Sequence, residues 1–160
     1  MSYWVRGPTM TIHDEFYVKL GRMTVAFGEL DFMVAYLAAN MAESLGEGEP
    51  QQFTARKLEG IKSWARKNED LLGRELVHDL VRVAGDVKAL LVQRQDAVHG
   101  LWLQEGDAAT AWAMKLPKGA TMGVPSKTDG ATVDLLAQEA RGLTRRLGEA
   151  TVGILKLRSR

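Results

Sequence analysis

Nine apolar side chains spaced by threes and fours run through the first quarter of this chain: Ile12, Phe16, Leu20, Met23, Phe27, Leu30, Val34, Leu37 and Met41. A helix turns about 100° per residue, so this spacing collects all nine on one face. It demands a long helix and other elements to cover that face. Thr11, with Asp14 three residues on and Glu15 next, supplies a capping oxygen and then acids for the positive first turn. The stretch GEGEP at 46–50 ends the helix. Gly21 and Gly28 weaken it locally and mark places where another helix can pack closely.

Two further apolar lines follow. Thr54 can cap a shorter helix carrying Leu58, Ile61 and Trp64. A third helix is expected from about Asp70 to His99, with Leu72, Leu76, Leu80, Val83, Val87 and Leu91 on one stripe and Gly100 at its end. The period then changes. LWLQEGDAATAWAMKL reads as a small β-hairpin over about 101–116, turning at Gly106-Asp107, with Trp102 and Trp112 on its two arms. A Gly/Pro/Ser/Thr loop is expected over about 117–131. The last helix starts near Thr132, its core line being Leu136, Ala140, Leu143, Leu147, Ala150 and Ile154. The reading is an all-α chain: an antiparallel four-helix bundle with a hairpin inserted before the last helix, in a single domain over 1–160. It contains no repeat and no low-complexity segment.

Composition narrows the function classes. The 160 residues contain no cysteine, which excludes disulfides and thiolate metal sites and fits a reducing compartment. The N-terminal MSYWVRGPTM lacks the apolar run of a signal peptide or membrane span, and no later stretch approaches one, so the expected location is the cytoplasm. A net charge of +1 gives no global field for nucleic acid. The charge is uneven, however. Residues 1–50 carry three basic and seven acidic side chains, whereas 131–160 carry six and three. Residues 51–70 add Arg56, Lys57, Lys62, Arg66 and Lys67 against Glu59, Glu69 and Asp70. Such faces are ordinarily solvated; tracking a phosphate backbone is the second reading.

One side chain breaks the pattern. Arg94 lies seven residues after Val87, in the apolar stripe of the third helix, and Val98 falls in that stripe too. A guanidinium cannot discharge itself, so it needs water, an anion or both. It can snorkel to the surface at the helix end. It can pair with a carboxylate of another helix, Glu29 or Asp31 being best placed, since Asp96 points away on its own helix. Or it can await an anionic ligand such as phosphate, which matches its planar fork. His99, about a third of a turn to one side, carries an imidazole, the side-chain type suited to proton transfer near neutral pH. A fixed cation and a proton carrier about one turn apart are a minimum kit for cleaving an RNA phosphodiester without metal. The arginine stabilises charge on the phosphorane, the imidazole moves a proton, and the 2′-hydroxyl is the nucleophile.

Arg94-Gln95-Asp96-Ala97-Val98-His99 resembles the Arg-x4-His motif of HEPN domains, and the continuation His99-Gly100-Leu101-Trp102 is similar to the end of that motif in small bacterial members. The plan resembles theirs as well: a long first helix with an acid near its middle (Glu29), a short second helix, and the motif late in the third. The sequence departs from the family where an asparagine or another small polar residue usually follows the arginine. Here Gln95 stands, still able to hydrogen-bond but with a longer reach.

The resemblance implies a metal-independent endoribonuclease of toxin, defence or RNA-processing type, acting on single-stranded RNA. Its composite site would form across a homodimer, with no cofactor, and an antitoxin or nucleotidyltransferase is a possible partner. Arg94 and His99 would be catalytic, with Gln95, Glu29 and Asp96 supporting and Trp102 available to stack on a base. The rival reading is a non-catalytic dimeric module for protein or nucleotide binding. His13 and His78 make no metal-ligand spacing with His99, and His78 falls opposite the apolar stripe and is expected to be exposed.

Overall fold

The structure, a computed structural model, describes the backbone of residues 14–45, 54–99, 101–105, 108–115 and 124–158, and the side chains of 16–41, 54–95, 97–98 and 129–157. The described chain is predominantly helical: α1 Asp14–Leu45, α2 Thr54–Lys67, α3 Glu69–Leu72, α4 Arg74–His99 and α5 Gly130–Arg158. Three strands, β1 Leu101–Glu105, β2 Ala108–Lys115 and β3 Val124–Asp129, stand between α4 and α5. Thr11, Ile12, His13, the GEGEP stretch, Gly100 and the turn at Gly106-Asp107 lie outside the described residues. Among the described residues no helix is long and apolar enough to cross a membrane.

The apolar lines form the core. On α1, Phe16, Met23, Ala26, Phe27, Leu30, Val34, Leu37 and Met41 are buried, and Leu20 packs at their edge. They meet Leu58, Ile61 and Trp64 of α2, Leu80, Val83 and Val87 of α4, and Leu136, Ala140, Leu143, Leu147 and Ile154 of α5. Each fully buried side chain of this size contributes about 1.5–3 kcal/mol relative to exposure, which holds four faces together that no single helix could hide. The neighbours around the core are α1 with α5, α5 with α4, α4 with α2, and α2 with α1.

The helix directions differ from an all-antiparallel arrangement. Gly130 of α5 lies beside Phe16 and Lys19, Lys19 pairs with Asp134 at 2.9 Å, and Gly148 lies against Met33. Rising numbers on α1 thus meet rising numbers on α5, and the two helices run the same way. Arg146 meets Asp86 at 3.1 Å and Gly153 meets Leu76, so α4 runs against α5. Antiparallel packing sets the end of α4 beside the start of α5, and the three strands occupy the chain between them.

Three boundaries also differ from expectation. The third helix is interrupted at Gly73, whose φ of 78° and ψ of 149° suit a residue without a Cβ. That break separates the short α3 from α4. The stretch expected as a loop contains β3, which extends the antiparallel sheet to the order β1-β2-β3. Its Pro125 lacks an amide donor and sits on an edge strand, where such a residue is tolerated. Finally, α5 starts at Gly130 rather than Thr132, because Asp129 caps it.

Asp129 Oδ1 accepts hydrogen bonds from the Thr132 backbone N–H at 2.8 Å and from Thr132 Oγ1 at 2.7 Å. The backbone bond first, and then the hydroxyl, hold its carboxyl below the ordinary aspartate range. Asp129→Ala is expected to cost about 0.5–2 kcal/mol of stability at neutral pH. With the folded pKa depressed, this contribution is complete above the unfolded value of about 4 and fades as pH falls through the folded one. Urea midpoints of wild type and variant should converge in acid; a constant gap would show that no carboxylate cap operates.

Candidate functional site

Arg94 stands at a junction of three helices. Glu59 of α2 accepts from Lys88 of α4 at 3.0 Å, and the two helices run antiparallel through the break at Gly73. Six residues beyond Lys88, Arg94 is consequently level with the first turn of α2. From there its guanidinium reaches α1. Its Cζ lies 5.3 Å from the centroid of the Phe27 ring, and Nη1 lies 3.9 Å from Asp31 Oδ2. The other Asp31 oxygen, Oδ1, accepts from Thr54 Oγ1 at 3.2 Å. Asp31 thus sits beside the N-terminus of α2, where the helix dipole favours an anion.

The contact between Arg94 and Asp31 is open. At 3.9 Å it is a Coulombic approach and too long for a hydrogen bond. The two side chains retain 34% and 38% of their exposure. Such a half-solvated pair contributes roughly 0–1 kcal/mol. Phe27, fully buried beneath the guanidinium, offers its ring face, adding on the order of 0.5–1 kcal/mol. The arrangement orients the fork while leaving N–H donors toward solvent, a geometry that suits an anion with several oxygens.

Of the two acids expected as partners, Asp31 approaches Arg94 and Glu29 does not. Glu29 is exposed on the outward side of α1. Gln95 is exposed next to Arg94. The side chains of Asp96, His99 and Trp102 lie outside the described residues; in the backbone, His99 is the last residue of α4 and Trp102 pairs with Ala111. Trp112 pairs with Leu101 and Lys127, so the two tryptophans do not form a cross-strand pair. The apolar stripe of α4 also drifts: Ala97 is fully buried and Val98 is 43% exposed, because 3.6 residues per turn carry a seven-residue line off axis.

Thr54 and Phe27 belong to this site although their sequence signals read as a cap and a core residue. Nothing local distinguishes a core phenylalanine from one lying under a cation. Other charges are engaged elsewhere. Hydrogen bonds from Lys62 and then Lys88 hold the Glu59 carboxyl down to about 2. His78 is exposed, as expected, and borders a shallow depression with Arg74, Glu75 and Asp79 at the start of α4. That depression is separated from Arg94 by most of α4, about 25–30 Å of helix.

No protein-family model, no curated protein and no solved structure matches this chain.

Proposed function

We propose that this protein is a HEPN-like, metal-independent endoribonuclease whose site is completed in a homodimer. Arg94 receives the phosphate and stabilises the charge that builds on it; His99 moves the proton to or from the 2′- and 5′-oxygens. Gln95 is available to orient the substrate beside them. The observation that carries this reading is the open fork of Arg94. It is steadied by Phe27 and Asp31, yet a third of the side chain is exposed and its one described carboxylate lies beyond hydrogen-bond reach. An arginine kept only for structure gains most when its donors are fully paired.

The second reading, a non-catalytic interaction module, draws on the same cluster. Asp31, Thr54 and Phe27 tie α1, α2 and α4 together around Arg94, and a structural junction needs no substrate.

Cleavage of labelled single-stranded RNA in EDTA separates the two. Wild type is expected to cut and leave a 2′,3′-cyclic phosphate. Arg94→Ala and His99→Ala are each expected to cut at least about a hundredfold more slowly while keeping the wild-type circular dichroism spectrum. A folded wild type that leaves several RNAs intact would sink the nuclease reading and favour the module.

A further inference from the structure

The outward face of α1 carries a second apolar line that the core does not use. Val18, Val25, Phe32 and Ala39 recur every seven residues, and Gly21, Gly28 and Ala35 follow the first three at a spacing of three. This is a heptad seam, about 32 Å long. It faces away from the other described elements: Val18 is 50%, Val25 57% and Phe32 67% exposed. A Cβ placed on Gly21 or Gly28 would meet no atom within 4 Å, so the close helix packing those glycines suggest is not made within the described chain. Tyr36, stacked on Phe32 with ring centroids 6.1 Å apart, extends the apolar surface.

We infer that a second copy of this chain docks on this seam, its α1 antiparallel to the first. The charges beside the seam select both the occupant and its direction. Arg22 and Glu29 directly follow the two seam glycines and both are exposed. An antiparallel copy, with its two-fold axis between Ala26 and Phe27, sets Gly28 against the partner's Val25 and Gly21 against the partner's Phe32. The same register brings Arg22 opposite the partner's Glu29, and Glu29 opposite the partner's Arg22. One contact satisfies both copies, as an isologous interface requires. A parallel pair instead sets Arg22 beside the partner's Tyr17 and Glu29 beside the partner's Thr24, leaving both charges unpaired. The small residues let the backbones approach at the short end of the usual 8–10 Å.

The interface stands on α1 alone; its consequence rests on the nuclease reading. Asp31 borders the seam on the side opposite Arg22 and Glu29. In an antiparallel pair that flank of both helices lies on one side, with the two Asp31 residues about 13 Å apart along the axis. Both clusters of Arg94, Asp31 and Phe27 therefore open on the same face of the dimer, near its two-fold axis.

Sedimentation or light scattering from low- to high-micromolar concentration tests the interface without RNA. Wild type is expected to dimerise. Arg22→Glu and Glu29→Arg should each raise the dissociation constant about tenfold or more, since each opposes like charges twice. The double exchange Arg22→Glu/Glu29→Arg should restore it, and all three should keep the wild-type circular dichroism spectrum because both positions are exposed. Val25→Cys, the sole cysteine in that variant, should yield a disulfide-linked dimer on oxidation. A wild type that stays monomeric throughout, or a dimer indifferent to both single exchanges, overturns the interface. Loss of RNA cleavage in Arg94→Ala judges the nuclease reading separately.

Discussion

Phe27→Ala is expected to lower the free energy of unfolding by about 3–5 kcal/mol, the range for removing a fully buried ring from a core. Phe27 has no exposed surface, and it packs among Met23, Leu30 and Val34 on the inward face of α1. The variant also takes away the ring under Arg94. Arg94→Ala, by contrast, should cost about 1 kcal/mol or less beyond its stem packing, because its pair with Asp31 is half-solvated. Urea denaturation measures both. A double-mutant cycle between Arg94 and Asp31 adds a decisive number. Coupling of about 0–1 kcal/mol accords with an arginine held ready for a ligand. Coupling above about 2 kcal/mol would mark a structural ion pair and turn the interpretation toward the interaction module.

Gly73→Ala should be the next most costly change, at about 1–3 kcal/mol, although the residue is exposed and a Cβ there would strike nothing. The cost arises in the backbone: φ 78° with ψ 149° is a conformation open essentially to glycine alone. Gly73 donates to the Glu69 carbonyl at 2.8 Å and accepts from the Val77 N–H at 3.2 Å, so it closes α3 and opens α4. Straightening this link would let α3 and α4 merge into the continuous helix that the apolar pattern alone favours. Leu72 would then leave the core. Denaturation of Gly73→Ala beside another exposed glycine changed to alanine, Gly85→Ala, gives the test. Gly85 lies inside α4 without a positive φ, and there alanine should stabilise by a few tenths to about 1 kcal/mol. Equal effects at the two positions would refute the conformational argument.

The same contrast explains what could be read in advance. The core lines of α1, α2 and α5 were legible because helical period and burial are coupled along one element: a side chain every three or four residues is either on the apolar face or off it. The split at Gly73 was not, since a lone glycine in a helical pattern is compatible with a continuous helix, and only the resolved φ distinguishes the two. Strand β3 was hidden because VPSKTD has no alternation of its own; the β2 edge supplies the partner that makes it a strand. Arg94 was conspicuous as a charge on an apolar line. Its neighbours were less so, because Asp31 and Glu29 are two residues apart on α1, and only the approach of α2 and α4 decides which one it meets.

By itself, then, the sequence determined a mainly helical chain, the faces its helices bury, and an arginine that must reach water or an anion. These follow from local periodicity and from a charge that cannot be removed. Tertiary structure decided that α1 and α5 run the same way and that Asp31 is the acid beside Arg94. It also decided which of the apolar lines on α1 the chain itself covers. Those outcomes depend on where separate helices lie in space, and no spacing within one helix encodes the position of another.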